Sequence, residues 1–233
     1  MKVALLGYGR MGKIIEQIAL NRGHEIAYIR SRSMEKGSLI DADVAIDFSL
    51  PSVAVQNISD CFQNNIPVVS GTTGWLDAYD NMITLCNENQ GAFIYASNFS
   101  LGVNIFFELN KQLAQMMRSL EEYNVSIEEI HHTQKLDAPS GTAITLAEGV
   151  IENSNYTDWK LDEAQAKEIP ITAKRIEGVP GTHTITYASE IDSIDIRHTA
   201  HSRQGFALGA VVAAEWLKDK KGIFTMKDVL NLS

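Results

Sequence analysis

The sequence predicts an α/β protein with two lobes. Short apolar runs alternate with helical patterns over residues 3–95, which is typical of a parallel sheet covered by helices on both faces. After residue 100 the pattern changes to longer stretches of alternating apolar and polar residues, which indicate half-buried strands. We therefore expect a doubly wound parallel sheet in the first lobe and a second α+β domain that carries a mixed sheet.

The first lobe begins with a strand, a glycine turn and a helix. Residues 3–6 are apolar and stop at Gly7, and Met11, Ile14 and Ile18 follow at helical spacing. Apolar runs between polar spacers predict further strands, and the segments between them predict helices. The expected strands are 25–29, 44–48, 67–70 and 92–95, with helices near 52–65 and 75–89.

The second lobe opens with a long amphipathic segment, 103–120, which predicts a helix. Alternation predicts a strand over 124–130 and two more at 184–187 and 194–197. Another helix is expected to begin after the Pro139-Ser140-Gly141 turn.

The end of the chain returns to an apolar helical pattern over 206–217, which we expect to pack on the first lobe. The predicted domains are therefore 1–99 plus 203–233, and 100–202.

The composition excludes several classes of protein. Of 233 residues, 45% are hydrophobic and 21% are charged, which is typical of a globular chain. With 20 basic and 29 acidic residues the net charge is −9, which disfavours nucleic acid and anionic membranes as partners. Cys61 and Cys86 stand far apart in apolar surroundings and support neither a disulfide nor a cysteine metal site. No stretch matches a signal peptide or a membrane span, so we expect a cytoplasmic protein.

A glycine motif stands where the first predicted strand meets the first helix. Gly7, Gly9 and Gly12 have the G-x-G-x-x-G spacing, in which the glycines allow a tight turn, close approach of a pyrophosphate and helix packing on the sheet. The motif in this context predicts a Rossmann-like dinucleotide site. A purely structural glycine turn is the alternative.

The second predicted strand ends in Arg30-Ser31-Arg32, where an NAD-preferring site usually carries an acidic residue. Two guanidinium groups and a hydroxyl suit a 2′-phosphate, which favours NADPH over NADH. The alternative is a solvated basic loop.

Two polar segments follow later strands of the first lobe. Gly71-Thr72-Thr73 and Ser97-Asn98-Phe99 stand at the carboxyl edge of the predicted sheet, where doubly wound folds bind their ligands. Both are candidate coenzyme contacts, and an ordinary turn is the alternative for the first.

The densest chemistry lies between Glu128 and Thr142. Adjacent histidines on a strand point to opposite sides, so His131 and His132 are poor joint ligands and no metal site is expected. His131 and Lys135, followed by a Ser-Gly-Thr turn that opens a helix, have the pattern of proton donors beside an anion site. A polar loop with one structural histidine is the alternative.

The motifs together resemble one family. Residues 131–142 read His-His-x-x-Lys-x-Asp-Ala-Pro-Ser-Gly-Thr, the signature of the 4-hydroxy-tetrahydrodipicolinate reductases, formerly called dihydrodipicolinate reductases. The resemblance also covers the glycine loop, 71–74, 97–104, 198–203 and 206–210, and so spans nearly the whole chain.

The resemblance implies an oxidoreductase of the diaminopimelate route to lysine. Such an enzyme reduces the cyclic dicarboxylate imine 4-hydroxy-tetrahydrodipicolinate to tetrahydrodipicolinate, with loss of water. The expected coenzyme is NADPH, with NADH possible, and the expected assembly is a homotetramer built on the second-lobe sheet. The first domain would bind the dinucleotide, and the second would bind substrate and form the oligomer.

The same resemblance implies roles for individual residues. His131 and Lys135 are the expected acid and proton donor, although Lys135 could serve only as a counter-charge. The substrate carboxylates would be bound by His132, Ser140, Gly141 and Thr142. The coenzyme would be bound by Gly7, Tyr8, Gly9, Arg10, Met11, Gly12, Arg30, Ser31, Arg32, Phe48, Gly71, Thr72, Thr73, Ala96, Ser97, Asn98, Phe99 and Arg203.

Two other functions compete with this one. A dinucleotide-sensing regulator without catalysis would not need His131, Lys135 and the Ser-Gly-Thr turn. Another small NAD(P)-dependent reductase, such as an aspartate dehydrogenase, would not need a dicarboxylate site of this form. Oxidation of NADPH by the expected substrate discriminates among the three.

Overall fold

The computed structural model describes residues 1–232, which form twelve strands and seven α-helices. In chain order they are β1 (Lys2–Leu6), α1 (Arg10–Asn21), β2 (Glu25–Arg30), β3 (Glu35–Gly37), β4 (Val44–Asp47), α2 (Pro51–Gln63), β5 (Val68–Ser70), α3 (Tyr79–Glu88), β6 (Ala92–Tyr95), α4 (Leu101–Met117), β7 (Asn124–His131), α5 (Gly141–Asn153), β8 (Asp158–Leu161), β9 (Glu168–Arg175), β10 (Gly181–Ala188), β11 (Ser193–Ala200), α6 (Gln204–Leu217), β12 (Gly222–Phe224) and α7 (Met226–Leu230). None of these helices has the length and hydropathy needed to span a membrane.

The described chain divides into two compact units. The first comprises residues 1–101 and 204–232, and the second comprises residues 102–203. Helix α6 belongs to the first unit because its alanines pack in that unit's core.

The first unit contains a seven-stranded sheet with the order β12-β6-β5-β4-β1-β2-β3. The pairs are parallel except at β2–β3, so the predicted doubly wound sheet is confirmed. Successive residues of a strand face opposite sides, and accordingly Val3 and Leu5 pack in one core whereas Ala4 and Leu6 pack in another. Strands β3 and β12 were not predicted from the sequence, because each has only three residues. Both lie at an edge of the sheet.

The second core of this unit contains both cysteines as buried free thiols. Burial raises the pKa of Cys86 to about 11 and raises that of Cys61 further still, so both remain protonated at neutral pH. Their burial agrees with the apolar surroundings that the sequence indicates.

The second unit contains a five-stranded sheet with the order β11-β10-β7-β9-β8. Strands β7, β10 and β11 pair antiparallel, whereas β9 is parallel to both β7 and β8, so the predicted mixed sheet is confirmed. Strand β8 was not predicted because residues 158–161 lack a regular apolar alternation. Strand β9 was missed although Ile169, Ile171 and Ala173 alternate with other residues, because Pro170 within the run argues against a strand.

The inner face of this sheet packs against helices α4 and α5, and the outer face is mostly polar. Val125 and Ile127 of β7 contribute to the inner core with apolar residues of both helices. The outer face carries cross-strand polar groups such as Glu128, Thr184 and Arg197.

At one end of the sheet the inner face turns polar. Burial alternates along β7, and Glu129 and His131 continue the row of Val125 and Ile127. The register pairs Glu129 with His183 of β10, and His131 with Arg175 of β9. Strand pairing therefore brings four polar side chains together at the end of an otherwise apolar face.

Candidate active site

The first part of the candidate site is the glycine turn between β1 and α1. Gly7 has φ +98°, and a Cβ there would lie 2.1 Å from the carbonyl oxygen of Phe48. A Cβ on Gly12 would lie 2.2 Å from the carbonyl oxygen of Gly7, whereas one on Gly9 would meet nothing within 4 Å. Gly7 and Gly12 are therefore required by close packing, and Gly9 leaves an open approach to the start of α1.

A cavity of about 790 Å³ opens beside this turn. Its volume suits a cofactor-sized ligand. Seven predicted coenzyme residues line it, namely Gly7, Tyr8, Gly9, Arg30, Ser31, Arg32 and Phe48. The remaining lining residues were missed by the sequence analysis, namely Ser33, Ser49, Leu50, Ser52, Val53, Gln56 and Asn57. Most of these residues follow β4. Ligands of doubly wound folds bind at the carboxyl ends of the strands, so the end of this predicted strand could have indicated them.

The two arginines at the end of β2 differ in their surroundings. The Arg30 guanidinium lies 2.5 Å from a carboxylate oxygen of Asp60 and 2.8 Å from the Tyr28 hydroxyl. Arg32 is exposed, and no partner of its side chain occurs among residues 1–232. Arg32 is therefore the arginine whose charge is available to a ligand.

A buried carboxylate organises the neighbouring strand ends. Asp47, the last residue of β4, accepts hydrogen bonds from the side chains of Ser49, Asn57, Ser70 and Thr72 at 2.6 to 3.0 Å. Burial raises the pKa of Asp47, and these four hydrogen bonds oppose the rise. The network fixes the segments that follow β4 and β5.

The other predicted coenzyme residues do not line the cavity. Arg10, Met11 and Gly12 form the first turn of α1, and Gly71 accommodates the ring of Phe48, from which an added Cβ would be 2.3 Å. Phe99 is buried with its ring centroid 5.8 Å from that of Phe48. Thr72 is buried, Thr73 and Ser97 are exposed, and Ala96 and Asn98 are half-buried. Arg203 is exposed and falls in the second unit.

The second part of the candidate site lies at the polar end of the second unit's sheet. Glu129 is fully buried, and its Oε2 lies 3.6 Å from Nδ1 of His131 and 3.7 Å from Nε2 of His183. The rings of the two histidines meet edge to face at 5.0 Å. Among residues 1–232, nothing hydrogen-bonds to Nδ1 of His131.

The charges in this cluster are set by burial and by one another. Burial, assisted by His183, lowers the pKa of His131 to about 4, so the imidazole is neutral at neutral pH. Burial opposes the ionisation of Glu129, but His183 and Ser140 stabilise the carboxylate and lower its pKa to about 2. The cluster therefore combines a carboxylate with a neutral imidazole at His131.

The atoms of Glu129, His131 and His183 that could bind a metal lie within 4.8 Å of one another. Arg175 already provides positive charge to Glu129, at 3.3 Å. We therefore interpret the cluster as a charge network. Sequence analysis missed Glu129, although a carboxylate at a core-facing position of β7 was a usable signal.

The Ser-Gly-Thr turn begins α5 next to this cluster. Ser140 is the N-cap, and its hydroxyl accepts a hydrogen bond from the Ala143 N–H at 3.2 Å. The same hydroxyl lies 3.1 Å from Nε2 of His183. A Cβ on Gly141 would meet nothing within 4 Å, so the helix N-terminus at Gly141 and Thr142 is open to an anion.

Lys135 and His132 occupy the loop between β7 and α5. The Lys135 ammonium lies 2.7 and 2.9 Å from the two carboxylate oxygens of Asp137. His132 follows the last residue of β7 and is half-buried, whereas His131 is buried. The second unit thus brings together all six predicted catalytic and substrate-binding residues within one strand, one loop and one helix N-terminus.

Comparison with known proteins gives matches along almost the whole chain. Residues 1–99 match the family model for the N-terminus of dihydrodipicolinate reductase, and residues 102–230 match that for its C-terminus. A 4-hydroxy-tetrahydrodipicolinate reductase from Christiangramia forsetii is 64% identical over 99% of this chain and 98% of its own length. One from Thermosipho africanus is 34% identical over 99% of this chain and 98% of its own.

A solved structure is similar over the same extent. It is a dipicolinate-bound dihydrodipicolinate reductase from Paenisporosarcina sp. TG-14, with a TM-score of 0.83, 25% sequence identity and coverage of 97% of each chain.

Proposed function

The chain belongs to the dihydrodipicolinate reductase family, and we infer from this that it is an NAD(P)H-dependent oxidoreductase that reduces 4-hydroxy-tetrahydrodipicolinate to tetrahydrodipicolinate. The reaction belongs to the synthesis of diaminopimelate and lysine. The 64% identity to a reductase of this activity, over nearly the full length of both chains, carries the conclusion.

We propose that the first unit binds the coenzyme at the glycine turn and the adjoining cavity. The packing at Gly7 and Gly12 and the open approach at Gly9 support this assignment. We further propose that NADPH is preferred, because the unpaired charge of Arg32 and the hydroxyl of Ser31 line the cavity and suit a 2′-phosphate. Bound NAD(P)H supplies the hydride.

We propose that the second unit binds the substrate dianion. His132, the Ser140 N-cap and the open N-terminus at Gly141 and Thr142 would bind its carboxylates, since backbone N–H groups at a helix start favour anions. Dipicolinate is the ligand bound in the similar solved structure, and it is a planar dicarboxylate of the same class.

His131 and Lys135 are the two candidates for the proton donor. Hydride addition to the conjugated imine leaves electron density that a proton must neutralise, and water is lost in the overall reaction. In the free enzyme His131 is neutral, because its pKa is about 4, whereas the Lys135 ammonium is ion-paired with Asp137. We therefore assign the donated proton to Lys135, and place His131 beside the reacting imine as a neutral hydrogen-bonding group.

The experiment that tests this function is NADPH oxidation with substrate made in situ by the preceding synthase. His131→Ala and Lys135→Ala should each lower kcat by about 10²- to 10⁴-fold while leaving NADPH binding unchanged. Turnover within a few-fold of wild type in both variants would contradict the assignment. Turnover of aspartate instead of the imine would favour an aspartate dehydrogenase, and NADPH binding without any turnover would favour a regulator.

The pH dependence of kcat/KM separates the two donors. The pH dependence of this ratio reports the pKa values of the catalytic acid and base in the free enzyme. Donation by a free-enzyme imidazolium at His131 would make kcat/KM fall about tenfold per pH unit above a pKa of about 4, so a level profile from pH 6 to 8 excludes that donor.

We also propose a cytoplasmic homotetramer built on the second unit's sheet. Its outer face offers polar cross-strand groups, including Glu128, Thr184 and Arg197, for contacts between copies.

A further inference from the structure

The ion pair of Glu129 and Arg175 holds the loop between β7 and α5 in its middle and at its far end. We propose that these two residues, which no sequence motif singled out, are positioning residues that order this loop for substrate before substrate binds. The inference rests on the proposed roles of Lys135 and of the Ser140–Thr142 turn. Glu129 and Arg175 act through those residues and are not assigned contacts with substrate.

Glu129 fixes the far end of the loop, where α5 begins. Its Oε2 accepts a hydrogen bond from the Ser140 N–H at 3.0 Å. The carboxylate is completely buried and comes from the middle of the sheet, so it presents a rigid, charged acceptor. Charge-assisted hydrogen bonds of this kind are among the stronger ones in proteins. The proposed carboxylate-binding turn is therefore anchored directly to β7.

Arg175 fixes the middle of the loop from the neighbouring strand. Its Nη2 donates to the carbonyl oxygen of Asp137 at 2.7 Å, and its Nε donates to that of Lys135 at 3.3 Å. Both Nη1 and Nη2 lie 3.3 Å from Oε1 of Glu129. One planar guanidinium thus joins the two loop carbonyls to the buried carboxylate, a geometry that lysine cannot reproduce.

The loop has little other support. Within residues 132–139 of the described chain, the backbone makes one internal hydrogen bond, from the Lys135 N–H to the His132 carbonyl. Leu136 is 96% exposed, so apolar packing does not hold the loop either. The contacts that Glu129 and Arg175 make with the loop, which we call the clamp, therefore account for the order of the segment that carries Lys135.

The order of this loop affects both substrate binding and the rate of reaction. If the loop became ordered only when substrate binds, part of the binding free energy would be used to order it. A loop without anchors would lose conformational entropy when substrate binds, which weakens binding. A displacement of about 1 Å of a reacting group can cost about 10²-fold in rate. The clamp therefore lowers the entropy cost of substrate binding and keeps Lys135 in position for the reaction.

The test uses Glu129→Gln and Arg175→Lys in the full chain. The matched controls are Lys111→Met and Glu152→Gln, which remove an ion pair between α4 and α5 of the same unit. We expect each test variant to lower kcat/KM for the imine by about 10- to 100-fold. Glu129→Gln should also weaken binding of dipicolinate about tenfold, while the dissociation constant for NADPH in both variants and all values in the controls stay within twofold.

The two test variants should also differ from each other. Arg175 holds the carbonyl of Lys135, so Arg175→Lys should act mainly on kcat, whereas Glu129 holds the Ser140 N–H, so Glu129→Gln should act mainly on KM and dipicolinate binding. A merely structural role would weaken NADPH binding and dipicolinate binding together, and that outcome overturns the proposal. Activity within twofold of wild type in both variants also overturns it.

Amide hydrogen exchange of the wild-type chain tests the clamp without any variant. We expect the Ser140 amide to be protected in the absence of ligand, and exchange of that amide at the rate of an unstructured chain overturns the proposal. If wild type fails to reduce the imine, the proposed function fails, and this exchange measurement still decides whether the clamp exists.

Discussion

Burial decides the charge of His131, the residue at the end of β7. Its side chain is 10% exposed and lies on the same inner face as apolar residues of the sheet. Burial and the neighbouring His183 hold its pKa at about 4, below the ordinary value of 6.5. A histidine that must stay neutral in the folded state makes folding depend on pH.

We expect this histidine to make the protein acid-sensitive below pH 6.5. Because its folded pKa is lowered, its contribution to stability is fully present above pH 6.5 and is lost as the pH falls towards 4, by up to about 1.4 kcal/mol per pH unit. Urea unfolding of wild type and His131→Asn between pH 7.5 and 4.5 measures this. The variant should lose less stability over that range. Parallel curves for wild type and His131→Asn would contradict the lowered pKa.

Two helices of this protein have a glycine in their first turn, but the two glycines serve different purposes. Gly12 in α1 is enclosed, because an added Cβ would lie 2.2 Å from the carbonyl oxygen of Gly7. Gly141 at the start of α5 is open, because an added Cβ would meet nothing within 4 Å. The first glycine is required by the fold, and the second leaves room for a ligand.

Alanine substitutions separate these two requirements. Gly12→Ala should lower the free energy of unfolding by about 1–3 kcal/mol, since backbone must move to accept the methyl group. Gly141→Ala should leave stability unchanged or raise it by up to about 1 kcal/mol, and should raise KM for the imine. Denaturant unfolding and steady-state kinetics measure both. A KM equal to that of wild type in Gly141→Ala would place the carboxylates elsewhere.

The end of β2 is the element that we expect to set the coenzyme preference. Arg32→Ala should lower kcat/KM for NADPH about tenfold or more and leave NADH unaffected, because charge-assisted contacts contribute roughly 1.5–3 kcal/mol. Arg30→Ala should have a smaller effect, because Asp60 already pairs with Arg30. Asp60→Asn should release Arg30 and increase the preference for NADPH. Equal use of both coenzymes in wild type and all three variants would show that the loop is only a solvated turn.

At the scale of the whole molecule, the proposed tetramer predicts a specific response to charge on the outer face of the second unit's sheet. Sedimentation should give the mass of four chains for wild type. Arg197→Glu reverses a charge on that face and should lower the assembly state, whereas Lys13→Glu, an exposed position of α1 in the first unit, should not. A monomer for wild type at micromolar concentration would contradict the proposal.

The sequence determined the fold class, the family and the position of every proposed catalytic and substrate-binding residue. Each of these signals is local: the strand and helix periods, the glycine spacing before α1, and the run from His131 to Thr142 all lie within a few turns of chain. Local patterns can be read in a single sequence because neighbouring residues share one element.

Tertiary structure alone decided which partners those residues have. Glu129 and Arg175 are 46 positions apart, and Arg30 and Asp60 are 30 apart, so neither pair leaves a pattern in the sequence. Strand β9 contains Pro170, which argued against a strand, and its pairing with β7 is what places Arg175 beside the loop. Charge state, loop order and the difference between Arg30 and Arg32 follow from such long-range contacts, because electrostatic interactions depend on distance in space and on burial rather than on separation along the chain.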